Sequence, residues 1–130
     1  MKTIANLNGV EFLRAVNRTR HAVEKLLSVT GVLKIRKNVP VFTGNETPEE
    51  RAEMERAQVK KNLNDMLDSL LETHPAETYE CILALCVLDE GEPEPDGIEL
   101  IMAAFSLIGD KRVLDFLSQL GKSGLIDMEA

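Results

Sequence analysis

Aromatic side chains are scarce in this chain: only 4% of its 130 residues are Phe or Tyr, and tryptophan is absent. Proteins that bind single-stranded nucleic acid stack the bases on exposed rings, so this scarcity argues against such a surface. Hydrophobic residues nevertheless make up 44% of the sequence. The chain can therefore bury a core, and that core must be built mainly from Leu, Ile, Val, Met and Ala.

Cysteine and histidine are also rare, with two residues of each. Cys81 and Cys86 lie five residues apart in an apolar run, and a disulfide between them within one helix would be geometrically awkward. We expect free, buried thiols and, without a second Cys/His pair, no zinc site. His21 and His74 belong to no recognisable nucleophile–base arrangement, so we assign them structural or surface roles.

Motifs that bind cofactors or catalyse reactions are missing. The sequence contains no glycine-rich phosphate-binding pattern. Asp65, Asp68 and Glu72 share one face of a predicted helix, but we see no further metal ligands for a facing helix to supply. The acidic segment 89–96 lacks the alternating ligands and closing Glu of a calcium loop. We predict no catalytic residues, no cofactor and no metal, and hence a protein that is not an enzyme.

Long apolar runs are missing as well. No stretch approaches the roughly 20 apolar residues of a membrane-spanning helix. The first residues contain no apolar segment followed by a cleavage site, so we expect no signal peptide and no membrane partner. These features predict a cytoplasmic protein.

The charges are distributed unevenly along the chain, whose net charge is −7. Residues 1–45 carry eight Lys or Arg against two Glu, whereas residues 46–130 carry seven basic against twenty acidic residues. Either the two parts attract each other in the folded protein, or they form two surfaces for different partners.

The clearest local signal is the start of a long helix at Thr47. Its hydroxyl can cap the first backbone amides, and Pro48 suits the first helical position. Glu50 completes the pattern of a capping box, and Pro75 ends the helix at about Thr73. This central helix would be roughly 40 Å long.

Apolar spacing and caps predict an all-α fold, a compact bundle of about five helices in one domain covering 1–130. The predicted helices cover about 10–29, 47–73, 74–88, 96–109 and 110–120. We expect the apolar run Cys81–Leu88 to be helical and to form the centre of the core, because a single strand there would have no partner. We expect 1–9 and 121–130 to be mobile.

Two parts of the central helix differ in character. Pro48–Gln58 is mostly charged, and we expect it to be exposed. Val59–Leu71 carries an apolar stripe that predicts packing against the Cys81–Leu88 helix. The stripe consists of Val59, Leu63, Met66, Leu67, Leu70 and Leu71.

Residues 32–43 form a basic, strand-like segment that we predict to be a short extended piece or hairpin, or partly a continuation of the first helix. Pro40 argues against a regular helix. An isolated strand pair is marginally stable in water, so the segment must lean on the helices or on a partner. Its apolar side chains, together with two from the central helix, are our candidate partner-binding surface for a client helix or for self-association. This surface consists of Leu33, Ile35, Val39, Val41, Phe42, Met54 and Val59.

Three segments give the chain a familiar layout: NGVEFL at 8–13, PVFTG at 40–44 and KNLNDMLD at 61–68, followed by an acidic loop and a helical C-terminal half. This layout resembles that of small proteins encoded in the tail-morphogenesis regions of phages and prophages of Gram-positive bacteria, which are generally tail assembly chaperones. The resemblance covers most of the chain without a diagnostic motif. It implies a non-enzymatic factor in the cytoplasm of the bacterial host that keeps a hydrophobic tape measure or other tail protein soluble.

A different function is suggested by the basic N-terminal part. Arg14, Arg18, Arg20 and Lys25 on the first helix, with the basic residues of 34–37, could serve a small regulatory or nucleic-acid-associated protein. The acidic chain as a whole argues against nucleic acid as the partner. Binding to DNA that weakens steeply with salt would support this alternative.

Overall fold

Six α-helices account for most of residues 2–88 and 90–126, the part of the chain that the computed structural model describes. The predicted all-α class is confirmed. The helices are α1 (Gly9–Thr30), α2 (Val32–Arg36), α3 (Pro48–Asp68), α4 (Pro75–Ala84), α5 (Gly97–Gly109) and α6 (Lys111–Lys122). Two short strands, β1 (Lys2–Thr3) and β2 (Cys86–Val87), complete the fold together with a 3-10 turn at Ile4–Asn6.

Side-chain caps fix the starts of four helices. The Thr47 hydroxyl accepts a hydrogen bond from the Glu50 amide at 3.1 Å, as the sequence predicts. Asn8 and Asp96 cap α1 and α5 in the same way, and Asp110 caps α6. The helix boundaries were therefore largely predictable, because each depends on residues next to one another in the sequence.

The end of α3 joins three helices. The helix continues as a π-helical turn at Ser69–Thr73, where the His74 amide donates to the Ser69 carbonyl at 2.9 Å. The Ser69 hydroxyl donates to the carbonyl of Thr30, the last residue of α1, at 2.7 Å. The Thr78 hydroxyl donates from α4 to the Leu70 carbonyl at 2.7 Å. This junction ties α1, α3 and α4 together through polar contacts.

The prediction that Cys81–Leu88 is one helix was wrong. Helix α4 ends at Ala84, and Cys86–Val87 forms β2, which pairs antiparallel with β1. Lys2 lies opposite Val87, and the Ile4 amide donates to the Leu85 carbonyl at 3.0 Å. The partner strand comes from the other end of the sequence and is too short for its own pattern to reveal it.

A buried cluster lies where the N-terminal segment meets α1, α5 and α6. It contains Ile4, Ala15, Leu107 and Val113. The rings of Phe12 and Phe116 pack edge to face beside it, with centroids 5.0 Å apart. Leu85, the residue before β2, packs against this cluster, and Cys81, Ala84 and Cys86 are buried as well. The run Cys81–Leu88 that we expected at the centre of the core is therefore partly buried but supplies none of the cluster's own residues.

Both ends of the described chain contribute buried side chains. Ile4 is 4% exposed, and Ile126, which follows α6, is 2% exposed. These two residues fall in the segments 1–9 and 121–130 that we expect to be mobile. Residues 1 and 127–130 lie outside the described residues, as does Asp89 of the acidic loop.

The outer side of α3 carries the apolar residues that we expected to be buried. Val59 is 67% exposed, Leu63 51%, Leu67 42% and Leu71 56%, so the prediction was wrong for these four residues. Met66 and Leu70, the other two members of the stripe, are half-buried. The buried residue of α3 is the polar Asn62, and α3 packs mainly against α2. The prediction that Pro48–Gln58 is largely exposed was confirmed.

Candidate protein-binding site

The segment 37–47, called the arm here, connects α2 to α3 in an irregular, extended form. Of the alternatives for 32–43, the structure combines two: Val32–Arg36 is helical directly after α1, and the extended part begins only after it. Gly31, in the left-handed conformation with φ of 65°, ends α1 and lets α2 start at once. Pro40 then disfavours helical geometry in the residue before it and has no amide to donate within a helix.

A buried amide on α3 holds the first part of the arm. Asn62 is 6% exposed, and its Nδ2 donates to the Asn38 carbonyl at 2.9 Å and to the Arg36 carbonyl at 3.5 Å. Gln58 Nε2 in turn donates to Asn62 Oδ1 at 2.8 Å. These bonds satisfy one carbonyl at the end of α2 and one in the arm, and they fix the arm beside α3.

A carboxylate closes the last turn of the arm. Glu46 Oε1 accepts hydrogen bonds from the Thr43 amide at 2.7 Å and from its hydroxyl at 2.9 Å, and Oε2 accepts from the Gly44 amide at 2.9 Å. These donors stabilise the charged form and lower the pKa of Glu46 to about 2. The turn therefore leads the chain into the cap of α3 in a defined direction.

A groove of about 550 Å³ lies between the arm and α3. Val39, Pro40 and Phe42 line it from the arm, and Val59 lines it from α3. The Arg51 guanidinium lies 5.3 Å from the centre of the Phe42 ring and holds that ring against the helix. Polar side chains line the rest of the groove, namely those of Arg36, Asn38, Glu55, Gln58 and Asn62. The groove thus combines an apolar patch on each wall with polar surroundings.

The structure brings part of the predicted partner-binding surface together. Val39, Phe42 and Val59 share the groove, and Val41 is 86% exposed on the arm. Leu33 and Ile35 are half-buried in α2. Met54 is half-buried on α3 and is not part of the groove lining. Partner binding by the seven residues stays a prediction.

The structure exposes two further apolar surfaces, of which the predicted partner-binding surface contained only Val59. The α3 row consists of Val59, Leu63, Leu67 and Leu71. The α5 face consists of Ile98, Ile101, Met102, Phe105 and Ile108, which are 46–78% exposed. Helical spacing identifies an apolar face correctly but does not say whether the same chain covers it.

The basic residues of α1 make contacts within the protein. The Arg18 guanidinium donates to the Ala84 carbonyl at 3.1 and 3.2 Å and to the Cys86 carbonyl at 3.0 Å. Lys25 pairs with Glu80 at 3.0 Å, and Arg20 donates to Asn17 at 2.7 Å. Lys25 thus joins the basic N-terminal part to the acidic remainder, which agrees with attraction between the two parts.

The thiols are free and buried, as predicted. Burial raises the pKa of Cys81 to about 11. Burial also raises the pKa of Cys86, against a smaller opposing effect of the Arg18 charge. Both groups are neutral near pH 7, which is unsuitable for a nucleophile.

Residues 2–88 and 90–126 offer no group of three His, Cys, Asp or Glu side chains placed to hold a metal ion. Asp65, one of the acidic residues considered for that role, pairs with Lys61 at 2.7 Å. Among the helices described, none is long and apolar enough to cross a membrane. Comparison of the chain with protein-family models, curated proteins and solved structures found no match to any of them.

Proposed function

We propose that this protein is a non-enzymatic assembly factor that binds an apolar segment of a client protein in the groove between the arm and α3. The single observation that carries the proposal is this groove, whose apolar lining is 76% exposed at Val39 and 67% exposed at Val59. Exposed apolar surface rimmed by polar groups is typical of protein-binding sites.

The construction of the groove supports a binding role. Asn62 and Glu46 fix the arm at its two ends by hydrogen bonds, so the apolar side chains between them remain on a supported backbone. A preorganised site loses less entropy when it binds a ligand than a disordered one does. Val41, the most exposed large apolar side chain of the arm, extends the apolar surface beyond the groove.

The proposed client is an amphipathic helix, because such a helix buries its apolar side chains in a groove of this kind. Together with the tail-chaperone resemblance, this leads us to propose the tape measure protein of a phage or prophage tail as the client. The protein would act in the cytoplasm of the bacterial host and keep that client soluble while the tail assembles.

Coexpression with a tape measure protein tests the proposal. A tape measure gene next to the gene of this chain is the first expected observation. The tape measure protein encoded there should be recovered in the soluble fraction with this chain and should pellet without it. The double variant V41D/F42D should abolish that effect, because two carboxylates in an apolar contact cannot be desolvated cheaply.

Leu13→Asp is the matched control, since Leu13 is 73% exposed on α1 and lies outside the groove lining. It should leave the client soluble. Circular dichroism should show that V41D/F42D keeps its helices. The proposal is contradicted if the client stays soluble with that variant, if the control abolishes the effect, or if the neighbouring genes have no role in tails.

A further inference from the structure

Helix α5 turns most of its large apolar side chains outward. The buried residues of the helix are Ala103 and Leu107, at 7% and 5% exposure. The α5 face, by contrast, leaves Ile98 78% exposed, Phe105 63% and Ile108 64%. Monomeric soluble proteins rarely leave so many large apolar side chains together on one helix, so this face is suited to a macromolecular contact.

We propose that the α5 face packs against the α5 face of a second copy of this chain, antiparallel and about a two-fold axis. Met102 and Phe105 would lie near the axis, and Ile98 of each copy would meet Ile108 of the other. Such an interface uses the same patch on both subunits and therefore closes as a dimer. The α5 face is separate from the proposed client groove, which belongs to the arm and α3.

The charges at the two ends of α5 favour this orientation. Asp96 and Glu99 make the N-terminal end acidic. At the other end Asp110 pairs with Arg112 at 3.0 Å, so Lys111 contributes the excess positive charge. Antiparallel packing places the acidic end of one copy beside Lys111 of the other, whereas parallel packing would place acid beside acid.

The size of the face fits a modest but specific dimer. From their exposed fractions, the five side chains of two copies would remove roughly 1,200 Å² from water if fully covered. That area lies at the lower end of stable interfaces. The face from Ile98 to Ile108 carries only one charged residue, Glu99, so packing two faces together buries few charges.

Sedimentation of the full chain over a wide concentration range tests the proposal. The expected mass at high concentration is twice the 14.4 kDa of one chain. Met102→Glu should give the mass of one chain, because it places two carboxylates near the axis. A wild-type mass of one chain at the highest soluble concentration, or a dimeric M102E protein, overturns the proposal.

Leu63→Glu is the matched control, because Leu63 is 51% exposed on the α3 row. This variant should remain a dimer; a single-chain mass would instead place the contact on α3. Mixing M102E with M102K should restore the doubled mass, since residue 102 faces its own counterpart. A mixture that stays at the mass of one chain excludes the two-fold arrangement.

A second pair of variants tests the orientation without changing the centre of the face. Ile108→Lys places a positive charge beside the acidic end of the other copy, and Ile108→Glu places a negative charge there. The dimer of I108E should have an about tenfold larger dissociation constant than that of I108K, so it should dissociate at tenfold higher concentration. Equal dissociation constants, or the reverse order, contradict antiparallel packing.

Discussion

The contact between α1 and α4 and the outer face of α5 are built from opposite kinds of residue. At the α1–α4 contact, Thr19 is fully buried with its hydroxyl 3.5 Å from the Ala84 carbonyl, and Arg18 binds that carbonyl as well. On α5 the large apolar side chains point away from the protein. The difference teaches that small and polar residues determine much of the packing inside this chain, while many large apolar ones remain available to partners.

Small side chains explain why polar groups can be buried at the α1–α4 contact. The small side chains of Ala15 and Ala84, at 3% and 6% exposure, allow neighbouring segments to approach closely. Close approach brings backbone carbonyls within reach of Arg18 and Thr19, and buried polar atoms need such partners. Within residues 2–88 and 90–126, no buried side-chain nitrogen or oxygen lacks a hydrogen bond. These bonds set the geometry of the interior.

The largest effect should come from Ile4→Ala. Ile4 is 4% exposed in the buried cluster, and its truncation leaves a cavity beside Ala15, Leu107 and Val113. We expect a loss of about 3 kcal/mol in the free energy of unfolding, measured by chemical denaturation. The matched change on the other side of the comparison is Ile98→Ala, on a side chain that is 78% exposed.

Ile98→Ala should change the unfolding free energy by less than about 0.5 kcal/mol at a concentration low enough for a monomer. A large loss there would mean that the α5 face belongs to the core of the chain. A negligible loss for Ile4→Ala would instead mean that the N-terminal segment contributes little to stability.

A smaller effect is expected from Arg18→Ala. The variant removes the donors to the Ala84 and Cys86 carbonyls and disturbs the passage from α4 into β2. We expect a loss of about 2 kcal/mol in unfolding free energy, because a charged donor serves both acceptors. Arg14→Ala, one turn earlier on the same helix and likewise exposed, is the control and should cost less than about 0.5 kcal/mol. Equal losses would show that α1 needs its positive charge rather than these bonds.

The sequence predicts the local features of the fold better than the long-range ones. Helix starts at Thr47 and Asp96 depend on a capping residue and an amide three positions later, so they are visible locally. Strand β2 depends on a pairing with Lys2–Thr3 at the far end of the chain, which no local pattern indicates. Part of the surface that lines the groove was predicted, because the arm and the middle of α3 are close in sequence.

The apolar stripes show the other limit. Val59, Leu63 and Leu67 have the spacing of a core face, and spacing alone cannot distinguish a face covered by the same chain from one left for a partner. The buried Asn62 is equally hidden from sequence reasoning. Its burial depends on the carbonyls of Asn38 in the arm and Arg36 in α2, 24 and 26 residues earlier, which need a donor.

Thiol reactivity measures how well the protein buries Cys81 in α4. With a pKa of about 11 instead of the ordinary 9, Cys81 should contain roughly a hundredfold less thiolate at neutral pH. In a Cys86→Ala variant it should react slowly with a thiol-specific disulfide reagent and rapidly once denatured. Because folding favours the neutral thiol, stability should fall as the pH rises from about 9 towards 11. Fast reaction of the native protein would show that the interior around α4 opens easily.

The smallest effect concerns the turn that sets the arm against α3. Because its pKa is lowered to about 2, Glu46 should remain charged well below the ordinary value of 4.5, and its bonds to Thr43 and Gly44 should persist. The stabilisation is complete above the ordinary pKa and is lost as the pH falls towards 2.

In an NMR titration, the Thr43 and Gly44 amide shifts should hold steady from neutral pH to about 3 and then change with the Glu46 carboxyl signal. Glu46→Gln should shift both amides already at neutral pH, because it replaces a charged acceptor by a neutral one. A titration midpoint near pH 4.5 would mean that the turn is open in solution and that the groove lacks a fixed wall. The arm would then no longer differ from an ordinary loop.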